Sequence, residues 1–258
     1  MWRHRPFIYR LAKFRIESEN GRNRLGMAWV VLKPMIQAGI YGAVFGLLLG
    51  SAARPDNFLL FLVIGVFFFH YFTDCFSSGA RSITRNANLV QSLNFPRMSL
   101  PLALVTQRLL QFIPMIGVIL VLVVASGFRP RLEWLELIPL VALFTLFNAG
   151  LTMFTARLTV HLRDLTQLLP FVSRLLFYTS GVFFSIDKRF HGHDTFLMIA
   201  GFQPIHEFMT LARGILLVGP DHIVPSGFWM FATIWAVVVF VVGSVFFWAA
   251  EERYGRVD

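Results

Sequence analysis

With 258 residues, 56% of them hydrophobic and only 14% charged, the chain lies outside the composition of soluble domains, which are about 45–50% apolar and about 25% charged. A net charge of +9 and a mean hydropathy of +0.65 together suit a membrane surface and exclude a nucleic-acid-binding domain. The single cysteine, Cys75, excludes an internal disulfide and speaks against redox chemistry or a cysteine-held metal.

Apolar runs at 34–51, 58–79, 100–126, 136–158, 167–186 and 228–250 are nearly free of charge. A hydrocarbon core takes about 20 helical residues to cross, with a range of about 17–25. Lipid forces every backbone amide into an internal pair, so such runs are read as spanning helices. Basic residues crowd the N-terminal segment, the 74–99 and 157–167 loops and the C-terminal tail. Elsewhere Arg54, Arg129, Arg131, Lys188, Arg189 and Arg213 are offset by Asp56, Glu133, Glu136, Asp187, Asp194, Glu207 and Asp221. The positive-inside rule then places both termini in the cytoplasm, which needs an even number of spans. The expected fold is an all-α integral membrane protein of six transmembrane helices, one domain over 1–258, in the cytoplasmic (inner) membrane. Neither a cleavable leader nor a second soluble domain is expected.

Along the chain, residues 2–19 predict an amphipathic helix on the membrane surface. Phe7, Leu11 and Phe14 recur at i, i+4, i+7 beside Ile8, with Arg3, Arg10, Lys13 and Glu17 opposite. The alternative is a solvated basic flank. Lys33-Pro34 opens the first span, with the proline in its first turn. Gly42, Gly46 and Gly50, with Gly39 nearby, form a small-residue face for helix packing. The second span, through Phe67 to Phe72, and the fifth, with Phe171, Phe177, Tyr178, Phe183 and Phe184, are dense in aromatics. These serve lipid, core or an interfacial belt, and a minority suits sugar rings along a pathway. Residues 81–99 and 157–167 are too polar to span and too patterned for slack linkers, and read as short helices that dock another protein. Between the fifth and sixth spans, 187–227 lies on the outer side, with apolar pieces at 197–202 and 205–219 too short to cross. They predict a re-entrant pair of short helices broken near Gln203-Pro204.

Catalytic signals are scarce. His70 and Asp74 form an i, i+4 pair that suits either a proton relay or a salt bridge at a hydrated helix end. His191 and His193 lack a third metal ligand. Neither a Gly-x-x-x-x-Gly-Lys-Ser/Thr loop nor a Gly-x-Ser-x-Gly elbow occurs. The chain reads as a conduit driven by a separate motor, not as an enzyme.

Leu25-Gly26-Met27-Ala28-Trp29 leading to Lys33-Pro34, Phe95-Pro96-Arg97, Arg163-Asp164, and Gln203-Pro204 through Arg213 occur in a telling order. In order and spacing they resemble the membrane subunit of ABC-2-type lipid-linked polysaccharide exporters, the Wzm-type group that exports O-antigens, galactans and teichoic acids. The arginine-rich composition is most similar to that of actinobacterial galactan exporters. The family's usual Asn-Pro before the gate is Gln203-Pro204 here. The resemblance implies a chain that binds no cofactor itself, with ATP and Mg held by an ATP-binding partner subunit. A second copy, membrane lipids and a lipid-linked polysaccharide are the other implied partners; nucleic acid is not.

The resemblance also assigns residues. Motor docking falls to Arg10 and Lys13 on the surface helix, to Asn86, Asn88, Leu89, Gln91, Phe95, Pro96 and Arg97 in a coupling region, and to Arg163 and Asp164. Tunnel candidates are Tyr41, Phe45, Phe68, Tyr71, Phe72, Phe177, Tyr178 and Phe184. Gln203, Pro204, His206, Glu207 and Arg213 belong to the outer gate, and Arg81 and Arg85 are candidates for the lipid diphosphate. Competing readings are a membrane-embedded glycosyl- or acyltransferase and an ABC-2 exporter of drugs or small lipids. A proton- or sodium-coupled transporter is disfavoured by the nearly uncharged spans.

Overall fold

A computed structural model describes residues 5–20, 25–48, 57–86, 95–162, 164–184, 201–219 and 224–249. Apolar sequence without turn residues over two dozen positions favours helix, and among the described residues there is no strand. The α-helices are α1 (Arg5–Asn20), α2 (Ala28–Leu48), α3 (Phe58–Ala80), α4 (Ser99–Ala125), α5 (Leu137–His161), α6 (Leu165–Thr179), α7 (Pro204–Leu216) and α8 (Phe228–Trp248). Short 3-10 turns at Thr84–Asn86 and Leu132–Glu136 follow α3 and precede α5. Among the described residues five helices, α2, α3, α4, α5 and α8, are long and apolar enough to cross a membrane.

The fifth predicted span differs from expectation. Its helix α6 stops at Thr179 after 15 residues, about 22 Å at 1.5 Å per residue. That is shorter than a hydrocarbon core of about 30 Å. Residues 180–184 form a turn in which Gly181 has a left-handed φ of 70°, a conformation that a side chain would disfavour. The start of α2 also differs. Gly26, at φ 48°, and the bond from the Ala28 amide to the Leu25 carbonyl start the helix well before Pro34. Pro34 therefore sits inside α2, where it has no amide to offer the preceding turn. Membrane helices tolerate this better than soluble ones.

The central helix is α3. Of its 23 residues, 16 are buried, so it is apolar all round, as a helix enclosed by others must be. It packs against α2, α4, α5, α6 and α7. The closest helix approach is between α5 and α8, where a Cβ on Gly243 would run into the Gly150 carbonyl and one on Gly150 into the Val239 carbonyl. Small residues permit such contact between membrane helices. The predicted glycine face on α2 behaves differently within the chain: a Cβ on Gly42 would meet Leu59 and Leu62 at 3.6 Å, in ordinary contact, while one on Gly39 or Gly46 would meet nothing within 4 Å. Gly50 lies outside the described residues.

Helix α1 lies along α4. Its buried side carries Ala12 and Ile16, whereas Phe14 is 66% exposed. The side turned to protein is thus rotated from the predicted Phe7–Leu11–Phe14 stripe.

Candidate functional site

Helices α2, α3 and α6 line an open cleft (the cavity) of about 260 Å³. Gln37 and Tyr41 reach it from α2, Val66, Phe69, His70 and Thr73 from α3, and Ser173, Arg174 and Phe177 from α6. Each set recurs at helical spacing, so each is one stripe of its helix. The Phe177 ring stands 5.3 Å from Tyr41 and 4.8 Å from Phe69. Behind it Phe183 packs edge-on at 4.8 Å and stacks on Phe45 at 4.2 Å. The polar lining is sparsely used. Gln37 donates to the Tyr41 hydroxyl at 3.1 Å, but Thr73 Oγ1 and Ser173 Oγ have no hydrogen-bond partner among the described residues. Aromatic faces beside free hydroxyl and amide groups can receive a sugar, which offers C–H patches between its own hydroxyls.

Of the predicted tunnel residues, Tyr41 and Phe177 line this cavity, and Phe45 lies behind it. Tyr178 is 52% exposed, 5.8 Å from Phe177. Phe184 packs against the core. Phe68, Tyr71 and Phe72 are buried within the core instead. Tyr71 stacks on Phe112 at 4.6 Å and donates to Thr145 Oγ1 at 3.0 Å, and Phe68 meets Phe112 at 5.1 Å. Gln37, Phe69, Thr73, Ser173 and Arg174 were missed. Arg174 carried a legible signal: it is the sole charged residue of α6, and an ionisable group within an apolar helix marks function by default.

A polar chain joins the cavity to α1. His70 Nε2 lies 3.7 Å from Asp74 Oδ2, and Asp74 lies 3.8 Å from Arg108 Nη1. Arg108 in turn donates to both Glu19 carboxylate oxygens at 3.3 Å and to Gln111 at 2.7 Å. The His70–Asp74 pair is therefore a link in a structural network.

The same surface helix holds both flanks of the predicted coupling region. Arg15 donates to Asn86 Oδ1 at 3.2 Å, and Phe7 packs on Phe95 at 5.5 Å. Burial there pulls the Arg15 guanidinium below its ordinary pKa, with Glu19 opposing the shift. Asn88, Leu89, Gln91 and Arg163 lie outside the described residues. Arg10, Lys13, Arg85 and Asp164 are exposed, and Arg81, Pro96 and Arg97 are half-buried. Neither Arg81 nor Arg85 lines the cavity.

At the other end, α7 clasps the turn that ends α6. Pro204 occupies the first turn of α7, where its missing amide is harmless. Gln203 donates to Ser180 Oγ at 2.8 Å, and His206 Nδ1 lies 3.2 Å from the Ser180 carbonyl. Arg213, 3% exposed, donates to the carbonyls of Gly181 at 3.0 Å, Val182 at 3.2 Å and Phe61 at 3.2 Å. Its guanidinium also lies 3.4 Å over the Phe61 ring. Carbonyls at the C-terminal end of a helix carry partial negative charge, so they suit a buried cation that has no carboxylate. Irregular backbone within an apolar bundle survives only where protein satisfies it, and Arg213 does so for this turn. Glu207 is fully buried, with neither oxygen hydrogen-bonded among the described residues. Residues 197–200 of the predicted gate pair, with His191 and His193, lie outside the described residues. Among the described residues no cluster of three or more His, Cys, Asp or Glu stands ready to hold a metal.

Comparison with known proteins adds the family. Two Klebsiella pneumoniae proteins named O-antigen export system permease protein RfbA are 32% and 33% identical over 118 and 119 residues, 46% of this chain and 45% of theirs. A Myxococcus xanthus protein of the same name is 26% identical over 153 residues, 59% of this chain and 58% of its own. The chain thus spans about half the length of the curated relatives it matches. The family model for the ABC-2 type transporter matches residues 18–217, which takes in every helix from α2 to α7. A multi-pass helical bundle and that match together make the chain a member of the ABC-2 type transporter membrane family.

Proposed function

We propose that the chain is the permease of an ABC exporter that carries a polyprenyl-diphosphate-linked polysaccharide, O-antigen- or galactan-like, from the cytoplasmic to the outer face of the inner membrane. The observation that carries this reading is the cavity between α2, α3 and α6, where Tyr41, Phe69 and Phe177 meet unpaired hydroxyls. Relatives named for O-antigen export support it.

The working unit is two copies of this chain with two ATP-binding subunits, which hold ATP and Mg. Both termini face the cytoplasm, and α6 with its following turn makes the fifth of six crossings. The motor seats against α1 and the segment around Asn86 to Arg97, and its closure reaches the tunnel through Glu19, Arg108 and Asp74. Arg81 and Arg85 receive the diphosphate at the inner face, and the α7 region closes the outer end.

The test is co-purification of this chain with an ATP-binding subunit encoded beside it, followed by ATPase and transport assays in proteoliposomes. A two-plus-two complex that moves lipid-linked glycan to the far leaflet, where an added lectin captures it, is the expected result. A chain that binds no motor and instead modifies lipid-linked sugar alone would overturn the reading in favour of the transferase.

A further inference from the structure

Arg174 is unaccounted for by a purely glycan-stacking tunnel. It is the only charged residue of α6, it lines the cavity, and it has neither an ion pair nor a hydrogen bond among the described residues. Across the cleft stands His70, whose Nε2 faces Asp74 and whose Nδ1 can donate to a guest in the Nδ1–H tautomer. Ser173, next to Arg174, is 6% exposed, yet its hydroxyl is unpaired, as is that of Thr73 one turn from His70. Among the described residues no carboxylate lines the cleft; Asp74, just outside it, lies 3.7 Å from His70 Nε2 and 3.8 Å from Arg108 Nη1, where the guanidinium offsets its charge. Buried polar groups are almost always satisfied, so the two buried, unpaired hydroxyls, with the exposed guanidinium of Arg174 at the rim beside them, describe a site that suits acceptor oxygens.

We propose that Arg174, His70, Ser173 and Thr73 form an oxyanion subsite inside the cavity, which holds a phosphate or carboxylate group of the substrate while Tyr41, Phe69 and Phe177 pack on the adjoining sugar. The proposal rests on the exporter reading for the identity of that substrate, but not for the chemistry of the subsite. Guanidinium offers paired N–H groups that match two oxygens of a phosphate or carboxylate at once. Hydroxyls add donors, and the aromatic wall lowers the local dielectric, which strengthens each contact. Two sources supply such a group: the diphosphate that joins glycan to lipid, and an acidic sugar within the glycan.

The full chain in neutral phosphatidylcholine nanodiscs decides the matter through native mass spectrometry and competition binding. The probes are undecaprenyl diphosphate, the uncharged alcohol undecaprenol, and hexagalacturonate against its neutral counterpart maltohexaose. Wild type should hold at least one anionic probe about tenfold or more over its neutral partner, since a charge-assisted hydrogen bond carries that much. The diphosphate arm identifies the lipid linkage as the source, and the hexagalacturonate arm an acidic sugar. Arg174→Gln should erase that preference without changing binding of the neutral probes, Arg174→Lys should restore part of it, and Arg129→Gln, distant in the outer loop, should leave it intact.

Equal binding of charged and neutral probes by wild type, or a preference that survives Arg174→Gln, overturns the subsite. Its failure is separable from failure of the exporter reading, because these measurements involve no motor. A chain that assembles with its ATP-binding subunit and transports glycan unchanged as Arg174→Gln leaves the exporter standing and removes the subsite. Anion preference in a chain that recruits no motor does the reverse.

Discussion

Residue 65 is glycine because Arg213 fills the space beside it: a Cβ there would overlap the guanidinium that reaches across from α7. The two residues form a lock between the central helix and the outer clasp. Gly65→Ala should push Arg213 from the carbonyls of Phe61, Gly181 and Val182. Arg213→Met should leave those carbonyls short of a donor and destabilise by about 3 kcal/mol or more, whereas Gly65→Ala meets the far end of a flexible side chain and should cost about 1–3 kcal/mol. Thermal unfolding in detergent reads this directly. A Gly65→Ala protein as stable as wild type would mean that Arg213 is not seated there.

A second expectation concerns α5 and α8. Gly150→Ala and Gly243→Ala force the two backbones apart and should destabilise by about 1–3 kcal/mol each, the usual penalty for overpacking. On α2 the opposite holds. With nothing within 4 Å of Gly39 or Gly46, alanine there should leave the fold unchanged or stabilise it by up to about 1 kcal/mol through helix propensity. Denaturation midpoints of the four variants should fall into these two groups.

The Glu19–Arg108 pair should matter more for work than for stability. Glu19 is 44% exposed at its side chain, so Glu19→Arg should change stability by less than about 1 kcal/mol. In the assembled exporter it should sever α1 from the Asp74–His70 chain, so that glycan moved per ATP falls while ATP hydrolysis continues. The swapped pair Glu19→Arg with Arg108→Glu should recover much of the loss. Unaltered transport per ATP in Glu19→Arg would remove this link from the coupling path.

How much of this was legible in the chain follows from what decides each feature. The five helices long and apolar enough to cross announce themselves because hydropathy sums along a contiguous run. The end of α6 does not, since it is set by Gly181 together with Arg213, 32 residues further on. Among the aromatics of α3, neighbours in sequence part company. Phe69 meets Phe177 beside the cavity, while Phe68 packs into Phe112 and Phe144. Which aromatics look into the cavity depends on the neighbouring helices; within α3 only the polar His70 and Thr73 mark that face in the sequence. Arg174 and Arg108 were readable as charges in apolar runs, but one arginine hardly moves the mean hydropathy of its span.

Topology is open to chemical test through the lone cysteine. Cys75 is fully buried, so N-ethylmaleimide should leave native protein unlabelled and modify it after unfolding in detergent. Against that silent background, Arg129→Cys should react with a membrane-impermeant maleimide from outside the cell. Arg85→Cys should react only in inverted vesicles. The reverse pattern would turn the whole chain over in the membrane.

The shortness of α6 has a mechanical consequence. The helix begins right after Asp164, on the side of the predicted docking surface, and ends in a turn that Gln203, His206 and Arg213 grip from α7. It therefore behaves as a connecting rod whose far end is pinned to α7. Pro170 is the one point along the rod where an amide is missing from the backbone ladder. A displacement at Asp164 has no slack linker in which to dissipate before it reaches the clasp, so the two ends of α6 move together.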